Sequence, residues 1–267
     1  MNLRKSIRFN QNFFKDADLV AAVVQQANFS PQDIVYEIGP GTGMITRELA
    51  RAAGTVVAVE IDRNLFLKLK QKFANTPSVQ LINADFLKFA IPDHNYKIFA
   101  NIPFNITAQA IRKLLTAAHP PVAAYLIVQK EAGEKFSGTP KTTQWSILHQ
   151  PWFEFEILRQ LKKTDFVPQP SVETVLLKIL RRPETLVDSA AKDDYFWFVQ
   201  LGFNRWRASL GKNFKEVFTY NQWRRLAKDL KFSVHAQPTD LTFYQWLGIF
   251  KFYQGIKTTT KCNGRYN

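Results

Sequence analysis

Val35-Tyr36-Glu37-Ile38-Gly39-Pro40-Gly41-Thr42-Gly43 runs from a β-type apolar stretch into a glycine-rich turn, and helical spacing begins at Met44. Glycine lets the backbone turn sharply and approach a ligand with no Cβ in the way. Amides at the N-terminus of the helix that follows can receive an electronegative group. Outward from this unit the pattern repeats. Val- and Ile-rich runs at Ile34–Ile38, Thr55–Glu60, Val79–Asn83, Lys97–Ala100 and Ala123–Gln129 alternate with helical spacing at Met44–Ala53, Arg63–Phe73 and Thr107–Ala118. Asp18–Ala27 reads as a leading helix. Nearly continuous apolar runs suit parallel strands buried on both faces. The alternation predicts a doubly wound α/β domain with right-handed crossovers. Phe153–Leu161 and Thr174–Leu180 read as a closing pair of strands, antiparallel pairing being open to them. The expectation is a Rossmann-like, mostly parallel sheet of seven strands.

Past Arg181-Arg182-Pro183 the strand-like runs stop, and Asp193–Phe203, Trp206–Val217, Asn221–Asp229 and Thr242–Tyr253 take helical spacing. The expected division is therefore residues 1–180, an α/β domain, and residues 181–267, a small all-helical one. The second part holds 15 Lys and Arg against 7 Asp and Glu, and the first 21 against 15, so positive charge is densest at the C-terminal end. There it interleaves with aromatics: Phe203, Arg205, Trp206 and Arg207, then Trp223, Arg224 and Arg225. Such interleaving suits an RNA-contacting surface. It equally suits the core of a small helical bundle, which is the reading favoured for Trp206 and Trp223 taken singly. The tail Lys257–Asn267 reads as polar and frayed.

Composition bounds the rest. With 267 residues, 46% of them hydrophobic, the chain can bury a real core. A net charge of +14 points to a polyanionic partner or to a basic, soluble surface. Cys262 is the only cysteine, which excludes an internal disulfide and a zinc finger. His94, His119, His149 and His235 lack ligand spacing, so no metal site is expected. Met1–Lys15 lacks the apolar core of a signal peptide, and the longest apolar runs, Leu19–Val24 and Val122–Val128, are too short to span a membrane. A soluble, cytoplasmic monomer with no membrane partner is the expectation.

Three expected strand ends carry acids: Glu37 before the glycine turn, Glu60 in Val59-Glu60-Ile61-Asp62, and Asp85 in Asn83-Ala84-Asp85-Phe86. Ligands of open α/β sheets bind at this edge. Gly39, Gly41 and Gly43 give G-x-G-x-G, not the dinucleotide spacing G-x-G-x-x-G. Glu60 is placed for two ribose hydroxyls. Asp85 can accept an adenine amine, with Phe86 or Ile61 against the ring. Any one acid alone is as well explained as a helix N-cap. The fourth strand ends in Asn101-Ile102-Pro103-Phe104. An exocyclic amine on a purine is a poor nucleophile, because its lone pair is delocalised into the ring. An amide oxygen and a backbone carbonyl that accept its two N–H bonds turn the lone pair toward a methyl donor. Proline fixes the carbonyl before it, and Phe104 offers a flat face to a base taken out of its stack. Positioning is then the main contribution, and no general base is evident. Alone, the tetrad also reads as an ordinary turn.

These segments together resemble the ribosomal RNA adenine N6-methyltransferases. The resemblance covers Gln11-Asn12-Phe13-Phe14, Glu37–Gly43, Val59–Asp62, Asn83–Phe86, Asn101–Asn105 and Phe166-Val167-Pro168-Gln169-Pro170-Ser171-Val172. It implies S-adenosyl-L-methionine as cofactor, bordered by Asn12 and Phe14 and contacted by Gly39, Glu60, Asp85 and Asn101. It also implies that Phe104 and Phe166 flank the flipped adenine; from its own sequence context Phe166 reads as a core aromatic. Asn101–Thr107 and the short helical C-terminal part look more like the erythromycin-resistance (Erm) branch, which implies an adenine of 23S rRNA as target. The tetrad ends in Phe104 where many members have Tyr, and Gln129–Thr143 departs from the family pattern as a loop bearing on substrate choice. The alternatives are a 16S rRNA dimethyltransferase of small-subunit maturation and an RNA-binding assembly factor without turnover. A nicotinamide oxidoreductase is disfavoured by the glycine spacing.

Overall fold

A computed structural model describes residues 12–205 and 208–263. The elements in order are β1 (Phe13–Phe14), α1 (Ala17–Gln25), β2 (Ile34–Ile38), α2 (Met44–Ala52), β3 (Thr55–Glu60), α3 (Arg63–Lys72), β4 (Val79–Asn83), β5 (Lys97–Asn101), α4 (Thr107–Thr116), β6 (Ala123–Gln129), α5 (Lys130–Ser137), α6 (Gln144–His149), β7 (Phe153–Leu161), β8 (Phe166–Val167), β9 (Thr174–Arg181), α7 (Lys192–Phe203), α8 (Leu210–Asn213), α9 (Tyr220–Asp229) and α10 (Phe243–Asn263). Seven strands form one sheet in the order β4-β3-β2-β5-β6-β9-β7. The first five run parallel and β9 runs antiparallel to β6. The expected Rossmann-like architecture is therefore present, and the closing strands insert so that β9 lies inside β7.

The central strands are buried along nearly their whole length, in keeping with their mostly apolar content. The register aligns the carboxyl ends that matter: Ile38 faces Val59 and Ala100, Glu60 faces Asn83, and Asn101 faces Ile127. Chain direction across the sheet reverses between β2 and β5, and a crevice opens at such a switch point. Local signals start the helices around it. Asp16 accepts from the backbone of Asp18 and Leu19 at the head of α1, and Asp62 from Asn64 and Leu65 at the head of α3. Asp62 is thus a helix cap.

The chain divides into two compact units, one running up to Gly133 and resuming at Glu154–Arg181, the other Glu134–Phe153 with Arg182 onward. The segment read as a loop, Gln129–Thr143, contains α5. From Glu134 on, with α6, it supplies the first part of the second unit. Thr143 opens α6 with a capping box to Ser146, and the buried Tyr195 hydroxyl donates to the Ile147 carbonyl at 2.8 Å. That bond and the packing of Ile147 among Tyr195, Phe198 and Phe250 give the segment its place in the second core.

The second unit is helical around an aromatic core. Trp223 is buried with its indole N–H donating to Val234 O at 3.0 Å, and Trp246 donates to Pro238 O at 3.1 Å. The expected helix over Trp206–Val217 reduces to α8. Gly211 there lies so close under the Trp223 indole that a Cβ would stand 2.5 Å from Nε1, and Phe214–Val217 continue as turns. Trp206, Arg207 and Gln11 lie outside the described residues. The last helix continues through the polar stretch read as frayed, to Asn263. No helix among the described residues is long and apolar enough to cross a membrane.

Candidate active site

The glycine turn is held in the left-handed region throughout, with φ of +67° at Gly39, +57° at Gly41 and +75° at Gly43. The three glycines do different jobs. A Cβ on Gly43 would meet Leu69 and Phe73 of the α3 region at 2.7 and 2.8 Å, and one on Gly41 would meet the Phe13 ring at 2.5 Å. A Cβ on Gly39 would meet nothing within 4 Å. Packing therefore demands the second and third glycines, whereas the first borders open space.

That space is two adjoining cavities sharing Gly39 and Pro103. The smaller, about 40 Å³, is lined by Asn12, Phe14, Gly39 and the whole tetrad Asn101, Ile102, Pro103 and Phe104. The larger, about 250 Å³, is lined by Gly39, Glu60, Ile61, Asp85, Phe86 and Pro103, together with Asn105, Ile106 and Gln109. Most sequence-selected residues thus meet in one place. Four do not line it. Gly41 and Gly43 shape the turn behind it. Glu37 is 1% exposed, with no hydrogen-bond partner for either carboxyl oxygen, and Thr46 Oγ1 nearby is equally unpartnered. Burial pushes Glu37 up to about 8, and the neighbouring Glu60 adds to the rise. Phe166 is 1% exposed, its ring 4.6 Å from that of Phe14.

Glu60 is fully buried. Its carboxylate accepts the backbone N–H groups of Gly41 at 3.1 Å and Asp62 at 2.8 Å, which ties the glycine turn to the end of β3. Burial raises its pKa, and those two N–H bonds counter the rise. Asp85 accepts from Leu87 N at 2.9 Å and so turns its own loop. Half-exposed Ile61 and buried Phe86 supply the apolar faces expected around a ring.

Sequence reasoning missed Lys113. Its ammonium donates to the carbonyls of Leu87 and Phe89 at 2.9 and 2.5 Å and lies 5.3 Å from the Phe86 ring centroid. Partial burial lowers its pKa, against the field of Asp85. It fastens to α4 the loop that carries Asp85 and Phe86. Asn105, Gln109 and Lys113 recur every four residues, opposite the buried Ala110, Ile111, Leu114 and Leu115. That polar stripe was the available signal.

The reacting edge is similarly tied. Asn101 donates its amide to the Asn12 carbonyl at 2.6 Å, and no hydrogen bond reaches its Oδ1 among the described residues. The next peptide leaves the sheet: Ile102 N still donates to Ile127 O, while Ile102 O accepts nothing among the described residues. The amide oxygen and the carbonyl before Pro103 are thus both unengaged acceptors. The Phe104 ring is half-buried. Behind them β1 pairs antiparallel with β8, Phe14 opposite Phe166, which joins the N-terminal Asn12-Phe13-Phe14 segment to the F-x-P-x-P-x-V segment.

The donor set fits an S-adenosylmethionine-like ligand. A glycine with open space before it, a carboxylate at each of the next two strand ends and flat apolar faces match the parts of an adenosyl group, and the unengaged acceptors suit an amine. Comparison with known proteins agrees. Residues 2–255 match the family described as ribosomal RNA adenine dimethylase. An rRNA adenine N-6-methyltransferase of Aeromicrobium erythreum is 30% identical over 92% of this chain and 73% of its own length. Ribosomal RNA small subunit methyltransferase A of Moorella thermoacetica is 33% identical over 75% of each chain. Among solved structures, the 23S rRNA methyltransferase ErmE superposes with a TM-score of 0.85 at 27% identity, over 90% of this chain and 98% of that one. This chain therefore belongs to the ribosomal RNA adenine dimethylase family, S-adenosylmethionine-dependent enzymes that methylate adenine N6 in ribosomal RNA.

Proposed function

We propose that the chain methylates one adenine of 23S rRNA in the peptidyl-transferase region, as an Erm-type enzyme, and so confers resistance to macrolides, lincosamides and streptogramin B. The observation that carries this reading is the likeness to ErmE along nearly the whole chain. The sequence Asn101–Thr107 supports it. The small subunit methyltransferase A of Moorella thermoacetica shares about the same identity as the rRNA adenine N-6-methyltransferase of Aeromicrobium erythreum, so a 16S rRNA dimethyltransferase is the second reading.

In either reading the chemistry at the edge is the same. The cofactor, when bound, supplies an electrophilic methyl group. Gly39 lets it approach the backbone, Glu60 and Asp85 take its ribose hydroxyls and adenine amine, and Ile61 and Phe86 cover its ring. Asn101 Oδ1 and Ile102 O accept the two N–H bonds of the target amine, which directs the nitrogen lone pair at the methyl group. The bond between Asn101 Nδ2 and Asn12 O fixes the amide so that its oxygen faces the substrate. Phe104 stacks on the flipped base. Phe166 acts from behind, as the buried backing of Phe14, which lines the cavity. Glu37 and the packed glycines keep the turn in shape. The basic second unit contacts RNA.

Transfer of labelled methyl groups to protein-free 23S rRNA, protein-free 16S rRNA and immature small subunits, run side by side, tests the target. Label in 23S alone is expected. Label only in the 16S-derived substrates replaces the proposal with the second reading.

A further inference from the structure

Helix α9 carries a second concave surface, wholly within the second unit. Trp223, Leu226 and Ala227 on one side are buried. Apart from Gln222, which closes a capping box with Thr219, its other positions fall on two adjacent stripes at four-residue spacing, Tyr220-Arg224-Lys228 and Asn221-Arg225-Asp229. A groove of about 650 Å³ is lined by Arg224 and Lys228 of the first stripe and by all three residues of the second, with Phe232 and Val234 at its apolar side. Tyr220 stands at the head of the first stripe, 72% exposed, and the Arg224 guanidinium lies 5.7 Å from its ring centroid. Arg225 has an acidic partner, Asp229 at 3.6 Å. Arg224 and Lys228 have none among the described residues.

A helix face turned to water ordinarily mixes charges and keeps large rings inside. This one holds three cations against one carboxylate and presents an aromatic ring already paired with an arginine. A positively charged track beside an exposed ring is the chemistry that takes single-stranded nucleic acid, with phosphates on the cations and a base on the ring. We propose that this face binds a single-stranded segment of ribosomal RNA other than the target adenine. One base stacks on Tyr220, between ring and solvent, while Arg224, Arg225 and Lys228 contact the phosphates beside it. This deepens the rRNA reading and is independent of which subunit's RNA is methylated.

The test uses the full chain and fluorescent single-stranded-loop fragments of 23S and 16S rRNA, with affinity measured over a salt series. Tyr220→Ala is expected to weaken binding about tenfold, the scale for loss of one base–aromatic stack, and Tyr220→Phe to stay within about twofold. Arg224→Ala/Lys228→Ala is expected to lower the slope of log affinity against log salt by about 1.4, two single-strand phosphate contacts. Binding of S-adenosylhomocysteine and kcat at saturating RNA stay unchanged in all three, because none of these residues lines the reacting site. Unchanged affinity and slope in the alanine variants would overturn the proposal. So would a shallower slope with Tyr220→Ala equal to the parent, which marks contact to duplex phosphates alone. The readout is RNA affinity, so a parent enzyme that methylates 16S instead of 23S rRNA sinks the target assignment and leaves this result legible.

Discussion

Alanine at Gly39 and alanine at Gly43 are chemically identical changes four residues apart, and the structure assigns them opposite consequences. Both residues sit at positive φ, +67° and +75°. An L-residue in that region costs about 1–2 kcal/mol. Gly39→Ala adds no clash within the protein, since nothing lies within 4 Å of the new Cβ. Its stability loss is therefore about 1–2 kcal/mol, or about 2–8 °C in Tm at 2–4 °C per kcal/mol. Gly43→Ala adds contacts at 2.7 and 2.8 Å with Leu69 and Phe73. Overpacking of this kind costs about 1–3 kcal/mol more, for a total of about 2–5 kcal/mol and about 4–20 °C. Cofactor affinity reverses the order. On the proposed cofactor path the Gly39 methyl would project into the cofactor's space, and an overpacking cost of about 1–3 kcal/mol there would weaken binding about 5- to 150-fold. Thermal unfolding of both variants, paired with calorimetric titration of S-adenosylhomocysteine, checks the crossed pattern. Equal Tm losses with cofactor affinity unchanged in Gly39→Ala would refute the assignment of Gly39 to the cofactor path.

Lys113→Met removes the cation that fastens the Asp85–Phe86 loop; Kd for the cofactor is expected to rise about 5- to 20-fold, within the scale of charge-assisted hydrogen bonds, with Lys113→Arg recovering part of it. An unchanged Kd in Lys113→Met shows that the loop holds itself. Glu37, raised to about 8 from an ordinary 4.5, binds its proton more tightly folded than unfolded, so its contribution to stability is full below pH 4.5 and is lost as pH rises toward 8. Glu37→Gln is expected to flatten the pH dependence of cofactor-free stability in that window by up to about 1.4 kcal/mol per pH unit; superimposable parent and variant profiles contradict a buried protonated carboxyl. Tyr195→Phe leaves the Ile147 carbonyl unpaired and should cost about 1–3 kcal/mol in denaturant unfolding, a loss that vanishes if residues 134–153 are not integral to the second core.

Much of this arrangement was legible because its signals are local. Continuous Val and Ile runs mark the five parallel strands to within a residue. The glycine turn and the acid-tipped strand ends declare the edge where ligands bind. Gln129–Thr143 read as a loop because α5 is short, half polar and interrupted by Gly133. Its neighbour α6 draws its stability from Tyr195, nearly 50 residues on, which no local pattern reveals. Lys113 escaped because a lysine on a helix usually belongs to a solvated face; only the fold brings its ammonium to the carbonyls of Leu87 and Phe89. The pairing of β1 with β8 joins segments about 150 residues apart in the chain. It explains why the Phe166 motif accompanies the tetrad: it braces the N-terminal strand whose Asn12 carbonyl orients Asn101. Phe166 itself is as buried as its sequence context suggested.

The most direct test of methyl transfer at Asn101–Phe104 is nucleoside mass spectrometry with a primer-extension map, applied to rRNA from cells that express the parent chain or Asn101→Ala. The account predicts N6-methylated adenine at one 23S position with the parent, and loss of about 100-fold or more in methylation rate with the folded variant, the scale for a misplaced reactant. Parent-level modification by Asn101→Ala, or no N6-methyladenine beyond the background of the host with the parent, contradicts it.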